Sequence, residues 1–154
     1  MRIVSRGMAI TLATLCLTDS ALAAPVETVL FSFNYSDGGY PVSGLIADGQ
    51  GALYGTTWAG GGGFSGNGGT VFKLSPPAKG QTAWTETVLY SFNKGGPGYD
   101  GVGPVAGLIA DNQGALYGTT YEGDGTGGVV FKLSPPAKGQ TAWTETVLYT
   151  RPCA

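Results

Sequence analysis

The side chains that could do chemistry in this sequence are few. Histidine is absent, which removes the commonest general base together with the commonest metal ligand. Asp48 and Asp111 occupy equivalent places, where an acidic loop could hold calcium. Calcium needs about six to eight oxygen ligands, and neither stretch has the spaced acids of a calcium loop. Structural turn residues are therefore the favoured interpretation, and we predict no metal site and no cofactor.

Three further acids lie in loops of the second half of the chain, namely Asp100, Glu122 and Asp124. They could meet at one rim as a weak cation site, but the same shortage of ligands favours solvated loop charges. No nucleophile motif and no paired carboxylates stand out, so we predict that the protein is not an enzyme. A metal-dependent hydrolase or lyase of the propeller type is the least supported alternative.

Aromatic residues are the remaining candidates for a site. Trp58 and Tyr121 are equivalent residues that follow an apolar run and precede a variable loop. An exposed ring beside Asn, Asp and Gly suits stacking on a sugar, and rigid amphipathic rings suit interfaces. Packing beneath the loop is the competing interpretation. We predict these two residues as ligand contacts, whereas the equivalent Trp84 and Trp143 are expected to pack in the core or between blades.

The N-terminal residues 1–24 have the order of a secretory signal peptide. Arg2 and Arg6 precede an apolar run over residues 8–17, and the small residues 21–24 follow. A membrane anchor is the alternative, but a spanning helix needs about twenty apolar residues. We therefore predict a secreted protein, extracellular, periplasmic or on the cell surface, with no membrane span after cleavage.

The remaining residues 25–154 are long enough for one domain with a substantial core. Without the signal, six basic and nine acidic residues remain, so a nucleic-acid partner is not expected. Glycines are abundant, with 28 in the chain, but they cluster between short apolar runs rich in aromatic and β-branched residues. This alternation of glycine clusters and short apolar runs is typical of a turn-rich β protein and not of a disordered chain.

A repeat sets the organisation of the whole chain. The twenty residues 71–90 recur unchanged at 130–149, and Glu27, Glu86 and Glu145 mark a period of 59. Each unit has four apolar runs of five to seven residues, at 27–33, 44–48, 52–57 and 70–75 and then at 86–92, 107–111, 115–120 and 129–134. Runs of that length with alternating polarity predict strands rather than helices.

Four short strands repeated at a fixed period predict an all-β fold of propeller-like tandem blades, each of four antiparallel strands. Blade one would span residues 42–92 and blade two residues 105–149, with 27–33 as a first outer strand. Val88, Tyr90 and Phe92 should share one face of their strand. Two blades form an open or incomplete array, so we expect self-association through open sheet edges. The pattern breaks at the tail, 150–154, as in a fragment of a longer array or a two-blade protein.

These stretches resemble a known family. PVSGLIADGQGALYGTT, GNGGTVFKLSP and TETVLYSFN are similar to the GloVer tandem repeats of secreted bacterial proteins, over nearly all of the chain after the signal. The resemblance implies an exported protein of many propeller-like repeats, often ending in one of several surface anchors, and it carries no catalytic residues. Our hypothesis is a non-enzymatic module with a structural or binding role outside the cytoplasm, touching a glycan or a protein. A carbohydrate-binding propeller module is the alternative.

Overall fold

The structure is a computed structural model that describes residues 26–62, 68–92, 100–123 and 127–150. The described residues contain no helix and form two separate four-stranded antiparallel sheets, neither of them closed into a barrel. This confirms the all-β class and the two tandem four-stranded units. The predicted signal peptide and the last four residues of the off-pattern tail lie outside the described residues.

Each sheet takes its strands in chain order. The strands of the first sheet are β1 (Ile46–Ala47), β2 (Leu53–Thr57), β3 (Thr70–Ser75) and β4 (Thr85–Ser91); those of the second are β5 (Ile109–Ala110), β6 (Leu116–Thr119), β7 (Val129–Ser134) and β8 (Thr144–Thr150). Neighbours in sequence are neighbours in the sheet, β1-β2-β3-β4 and β5-β6-β7-β8. Spatial order and chain order are therefore the same within each sheet.

The β1–β2 corner is built by the carboxylate of Asp48. One oxygen accepts hydrogen bonds from the backbone N–H of Gln50 at 2.9 Å and of Ala52 at 3.0 Å, and the other accepts from the Tyr54 hydroxyl at 3.0 Å. These bonds, led by that from Gln50, lower the pKa of Asp48. Gly51 completes the turn at a φ of 82°, which favours glycine.

Asp111 repeats this arrangement at the β5–β6 corner. Its carboxylate accepts from the backbone N–H groups of Gln113 and Ala115 and from the Tyr117 hydroxyl, each at 2.9 Å. The bond from Ala115 contributes most to lowering the pKa of Asp111. In both repeats the aspartate carboxylate accepts its hydrogen bonds from residues of its own hairpin, as the turn interpretation predicted.

A β-bulge in the outer strand changes the predicted faces. Val71 pairs with Tyr90 but Phe72 pairs with Val88, so Leu89 is the extra residue of β4. Because cross-strand partners share a face, Val88 and Tyr90 lie on opposite faces. The prediction that strict alternation would place them on one face was wrong, since the bulge interrupts the period of two. β8 has the same irregularity opposite Val130 and Phe131.

The core lies between the two sheets. Val71 and Phe92 from the first repeat pack with buried side chains of the second, namely Leu108, Leu116, Val129, Phe131 and Leu133. The Phe92 and Phe131 rings meet edge to face, 5.1 Å apart, and neither is exposed. The two sheets therefore share one hydrophobic core, and stacking the repeats creates it.

The predicted first outer strand, residues 27–33, is not a strand in the structure. Its sequence matches β4 and β8, yet those strands pair with β3 and β7 of their own sheets. No described strand faces residues 27–33 in the same way, so Val29 stays 70% exposed. Phe33 is nevertheless in place, 4.9 Å from the Phe72 ring and edge to face with it, as Phe92 is with Phe131.

Candidate functional site

The two residues predicted as ligand contacts lie together. Trp58 directly follows β2 and Tyr121 follows β6 by two residues, so equivalent places of successive repeats meet at one end of the stacked sheets. Both line a cleft of about 140 Å³, whose walls are Tyr35, Trp58, Ala59, Val102, Gly103, Tyr121 and Glu122. Trp58 is 46% exposed and Tyr121 68% exposed, so neither ring is packed beneath a loop. Ligand contact by these rings stays a prediction.

Short backbone bridges hold the two walls. Gly39 pairs with Ala59 in the first repeat and Val102 pairs with Glu122 in the second, each outside the regular strands. The entry loop of each repeat is thereby bonded to the segment that carries the aromatic ring. Tyr121 also donates its backbone N–H to the carbonyl of Gly103 at 2.9 Å. The rings are thus mounted on hydrogen-bonded backbone and not on free loops.

A buried threonine supports the first wall. The Thr57 hydroxyl donates to the Ala59 carbonyl at 3.0 Å, accepts from the Thr70 N–H at 3.0 Å and lies 2.8 Å from the Thr70 hydroxyl. In the second repeat Thr120 donates to the Glu122 carbonyl at 2.8 Å and accepts from the Val129 N–H. The second Thr of each Gly-Thr-Thr motif therefore fixes the start of the loop that bears Trp58 or Tyr121.

The side chain of Trp58, in the first repeat, reaches the backbone of the second repeat. A Cβ atom on Gly103 would lie 2.9 Å from the indole Nε1 and 3.1 Å from Cδ1, so the edge of the ring lies against the backbone of the second repeat. Gly103 also has a φ of 65°, which side chains other than glycine rarely adopt. The cleft between the repeats therefore depends on glycine at this position.

Tyr35 and Tyr40 extend the aromatic surface, and the sequence analysis missed them. Tyr40 lies edge to face with Trp58 at 5.9 Å and with Tyr35 at 6.3 Å, and both tyrosines are largely exposed. Both hold positive φ, 74° for Tyr35 and 57° for Tyr40, the two described non-glycine residues that do so. Strained backbone of this kind concentrates at functional sites. The sequence signal was Tyr40 standing where the second repeat has Gly103.

The cleft is lined by three aromatic residues, Tyr35, Trp58 and Tyr121, and by the acidic residue Glu122. This set can stack on a flat or ring-shaped ligand and hydrogen-bond its edge. The described residues contain no group of three or more His, Cys, Asp or Glu side chains able to hold a metal ion. Of the predicted rim acids, Glu122 lines the cleft, Asp100 is buried elsewhere, and Asp124 lies outside the described residues.

Asp100 belongs to the junction between the repeats. It is 8% exposed and accepts a hydrogen bond from the Tyr90 hydroxyl of β4. Burial, together with this bond, raises the pKa of Tyr90. The contact links the outer strand of the first sheet to the entry loop of the second. Trp143 packs against the shared core as predicted, and Trp84 is half-buried.

Glu86 and Glu145 are equivalent carboxyls that the sequence analysis named only as markers of the repeat period and not as site residues. Each has one oxygen, Oε1, that is buried with no hydrogen-bond partner. Burial raises the pKa of Glu86 to about 7, with the charge of Asp37 adding to the shift. Burial likewise raises the pKa of Glu145 to about 7, with Asp100 adding to it. These raised pKa values could be inferred only from the folded structure. The strand pattern of the sequence locates both residues but does not show which groups pack against them.

We expect these two carboxyls to make stability fall as pH rises. Their folded pKa values lie above the unfolded value of 4.5, so the stabilisation is complete below pH 4.5 and is lost through pH 7. The loss should be about 1 kcal/mol per carboxyl, because solvent screens groups that are partly exposed. Thermal unfolding from pH 4.5 to 8 measures it. Glu86→Gln with Glu145→Gln should flatten the profile, whereas the exposed equivalent Glu27→Gln should leave it sloping; an unchanged slope in the double variant would contradict the assignment.

The chain matches the Gloeobacter/Verrucomicrobia repeat over residues 17–150. The protein belongs to the Gloeobacter/Verrucomicrobia repeat family. No curated protein and no solved structure matches it. The matched residues include both sheets and both walls of the cleft.

Within residues 26–62, 68–92, 100–123 and 127–150, no helix is both long and apolar enough to cross a membrane.

Proposed function

We propose that this chain is a secreted, non-enzymatic binding module built of propeller-like repeats, and that it binds its ligand at the aromatic cleft between them. The observation that carries the proposal is the convergence of Trp58 and Tyr121 on one cleft from equivalent places in successive repeats. Large amphipathic rings that stay half exposed at the mouth of a cleft suit recognition.

Export is proposed from the sequence, because a basic tip, an apolar run and a small-residue site stand in the order of a signal peptide. The absence of histidine from the whole chain supports a role in binding rather than catalysis. The propeller-like arrangement is proposed from the stacking of two four-stranded sheets in chain order.

A carbohydrate is the ligand class that the cleft favours. Sugar rings present an apolar face and a polar rim, and the cleft presents aromatic faces beside hydroxyls and one carboxylate. Tyr35 and Tyr40 continue the aromatic surface from Trp58 for two further ring-to-ring steps of 6.3 and 5.9 Å. Adjacent rings meet edge to face, so this surface presents ring faces and ring edges in different orientations and not one flat platform.

We expect Trp58→Ala to abolish binding on a glycan array on which the wild-type protein binds at least one glycan. Removing a central aromatic anchor costs about 2 kcal/mol or more, which is roughly a thirtyfold loss of affinity. Trp84→Ala is the matched control because Trp84 is half-buried and does not line the cleft. Wild-type binding that survives Trp58→Ala, or no binding to any glycan by the wild-type protein, would contradict the carbohydrate proposal.

A further inference from the structure

The two sheets are the same unit, but their equivalent faces differ in exposure. We call the face that carries Ile46, Tyr54, Thr56, Val71 and Tyr90 the leading face of the first sheet; register places these residues on one side. It packs against the second sheet, so Val71 is 0% and Thr56 1% exposed.

The leading face of the second sheet carries nearly the same residues, Ile109, Tyr117, Thr119, Val130 and Tyr149. Here Ile109 is 69% and Tyr149 59% exposed, and Thr119 is exposed as well. A groove of about 200 Å³ runs along this face, walled mainly by apolar atoms, with Ile109, Tyr117 and Val130 among its residues. The equivalent surface of the first sheet is buried, whereas no described residue covers this apolar surface.

The opposite, trailing faces show the converse. On the second sheet, Leu108 is 3% and Leu116 2% exposed because the first sheet covers them. On the first sheet, the equivalent Leu45 is 50% exposed and Leu53 is half-buried. On the same face Phe72, which contacts the Phe33 ring, and Leu74 are buried. The described residues therefore present one open leading face and one trailing face that is open at Leu45 and Leu53.

The two open faces are complementary, because a leading face and a trailing face of the same kind already pack together between the two sheets of one chain. We propose that a second copy of this chain docks the trailing face of its first sheet on the leading face of the second sheet. Such head-to-tail contact is heterologous, so it builds either a closed ring or an open array. The sequence analysis predicted association through open sheet edges, and this proposal places a contact on the sheet faces.

Polar contacts of the internal junction have counterparts for the new one. Thr56 donates to the carbonyl of Ala106 at 3.3 Å across the junction, and Thr119 and Ser43 hold the equivalent places. Tyr90 donates to Asp100, and the exposed Tyr149 would donate to Asp37, which like Asp100 precedes the loop glycine of its repeat. Phe92 is the exception, because residue 151 is Arg at the equivalent place; on the receiving copy, Phe33 already lies on Phe72 as Phe92 lies on Phe131. The other apolar and polar groups recur at the required places.

Two blocked variants test the proposal by sedimentation velocity. Ile109→Arg blocks the leading face and Leu45→Arg blocks the trailing face, and both residues are exposed, so the fold should tolerate them. The wild type should self-associate with rising concentration, each variant alone should be monomeric, and an equimolar mixture should form a one-to-one dimer. Gln50→Arg, in an exposed turn away from both faces, should associate like the wild type.

The equimolar mixture is the decisive experiment. Non-specific association or an isologous dimer would not make two variants that are each monomeric form a dimer when they are mixed. Tyr149→Glu is a second leading-face variant should Ile109→Arg lose the β-sheet signature in far-ultraviolet circular dichroism. A wild type that stays monomeric at its highest soluble concentration, or a mixture that stays monomeric, would overturn the proposal.

Discussion

We expect Phe92→Ala to cost about 3–5 kcal/mol of unfolding free energy, the usual penalty for truncating a buried phenylalanine. Phe92 comes immediately after β4, is 0% exposed and packs edge to face on Phe131 of the second sheet. Truncating it leaves a cavity between the sheets, where the core of both lies. Urea unfolding of the wild type and the variant measures the loss.

Phe33→Ala is the matched control for that prediction. Phe33 has the same place in its repeat and the same edge-to-face geometry with Phe72, but it is half-buried. Because less surface leaves water, its loss should cost only about 1–2 kcal/mol. Equal losses for the two variants would contradict a core concentrated between the sheets.

Gly118→Ala is the second substitution with a large expected effect. Gly118 lies in β6, and an added Cβ would lie 2.5 Å from Cζ of Phe131 and 3.1 Å from Cδ2 of Leu108. Both neighbours are buried in the core, so the crowding should cost about 1–3 kcal/mol, as overpacking does. The midpoint of thermal unfolding should fall accordingly.

Gly49→Ala is the control here, because a Cβ at Gly49 would meet no atom within 4 Å. Its effect should stay within about 0.5 kcal/mol, as is usual for a surface change. If Gly118→Ala were as mild as Gly49→Ala, the close approach of the Phe131 ring to β6 would be wrong. The comparison explains why glycine stands in the middle of a strand that otherwise carries Tyr and Thr.

The strand order and most of the strand bounds could be predicted from the sequence, because each run alternates in polarity and is bounded by glycine, proline or Asp-Gly turns. The 59-residue period then gave two equivalent sheets. The sequence could not show that residues 27–33 form no strand, since the same letters pair in β4 and β8. Pairing depends on a partner strand, which a local pattern does not contain.

The candidate site was predictable in part. Equivalence within the repeat singled out Trp58 and Tyr121, but only the stacking of the sheets brings them to one cleft. Tyr35 and Tyr40 were missed because the residue type does not show that a tyrosine has a positive φ. The raised pKa values of Glu86 and Glu145 were out of reach for a similar reason, since burial and a neighbouring acid from a distant loop cause them.

The central claim is that successive repeats jointly form one binding cleft, and nuclear magnetic resonance tests it most directly. The ¹⁵N-labelled protein is titrated with soluble oligosaccharides chosen from the array, and three indole N–H signals report on Trp58, Trp84 and Trp143. The cleft predicts that the Trp58 signal shifts together with the amides of Val102 and Glu122 from the second repeat, while the other two indoles stay still. Shifts confined to one repeat, or centred on Trp84 or Trp143, would contradict it.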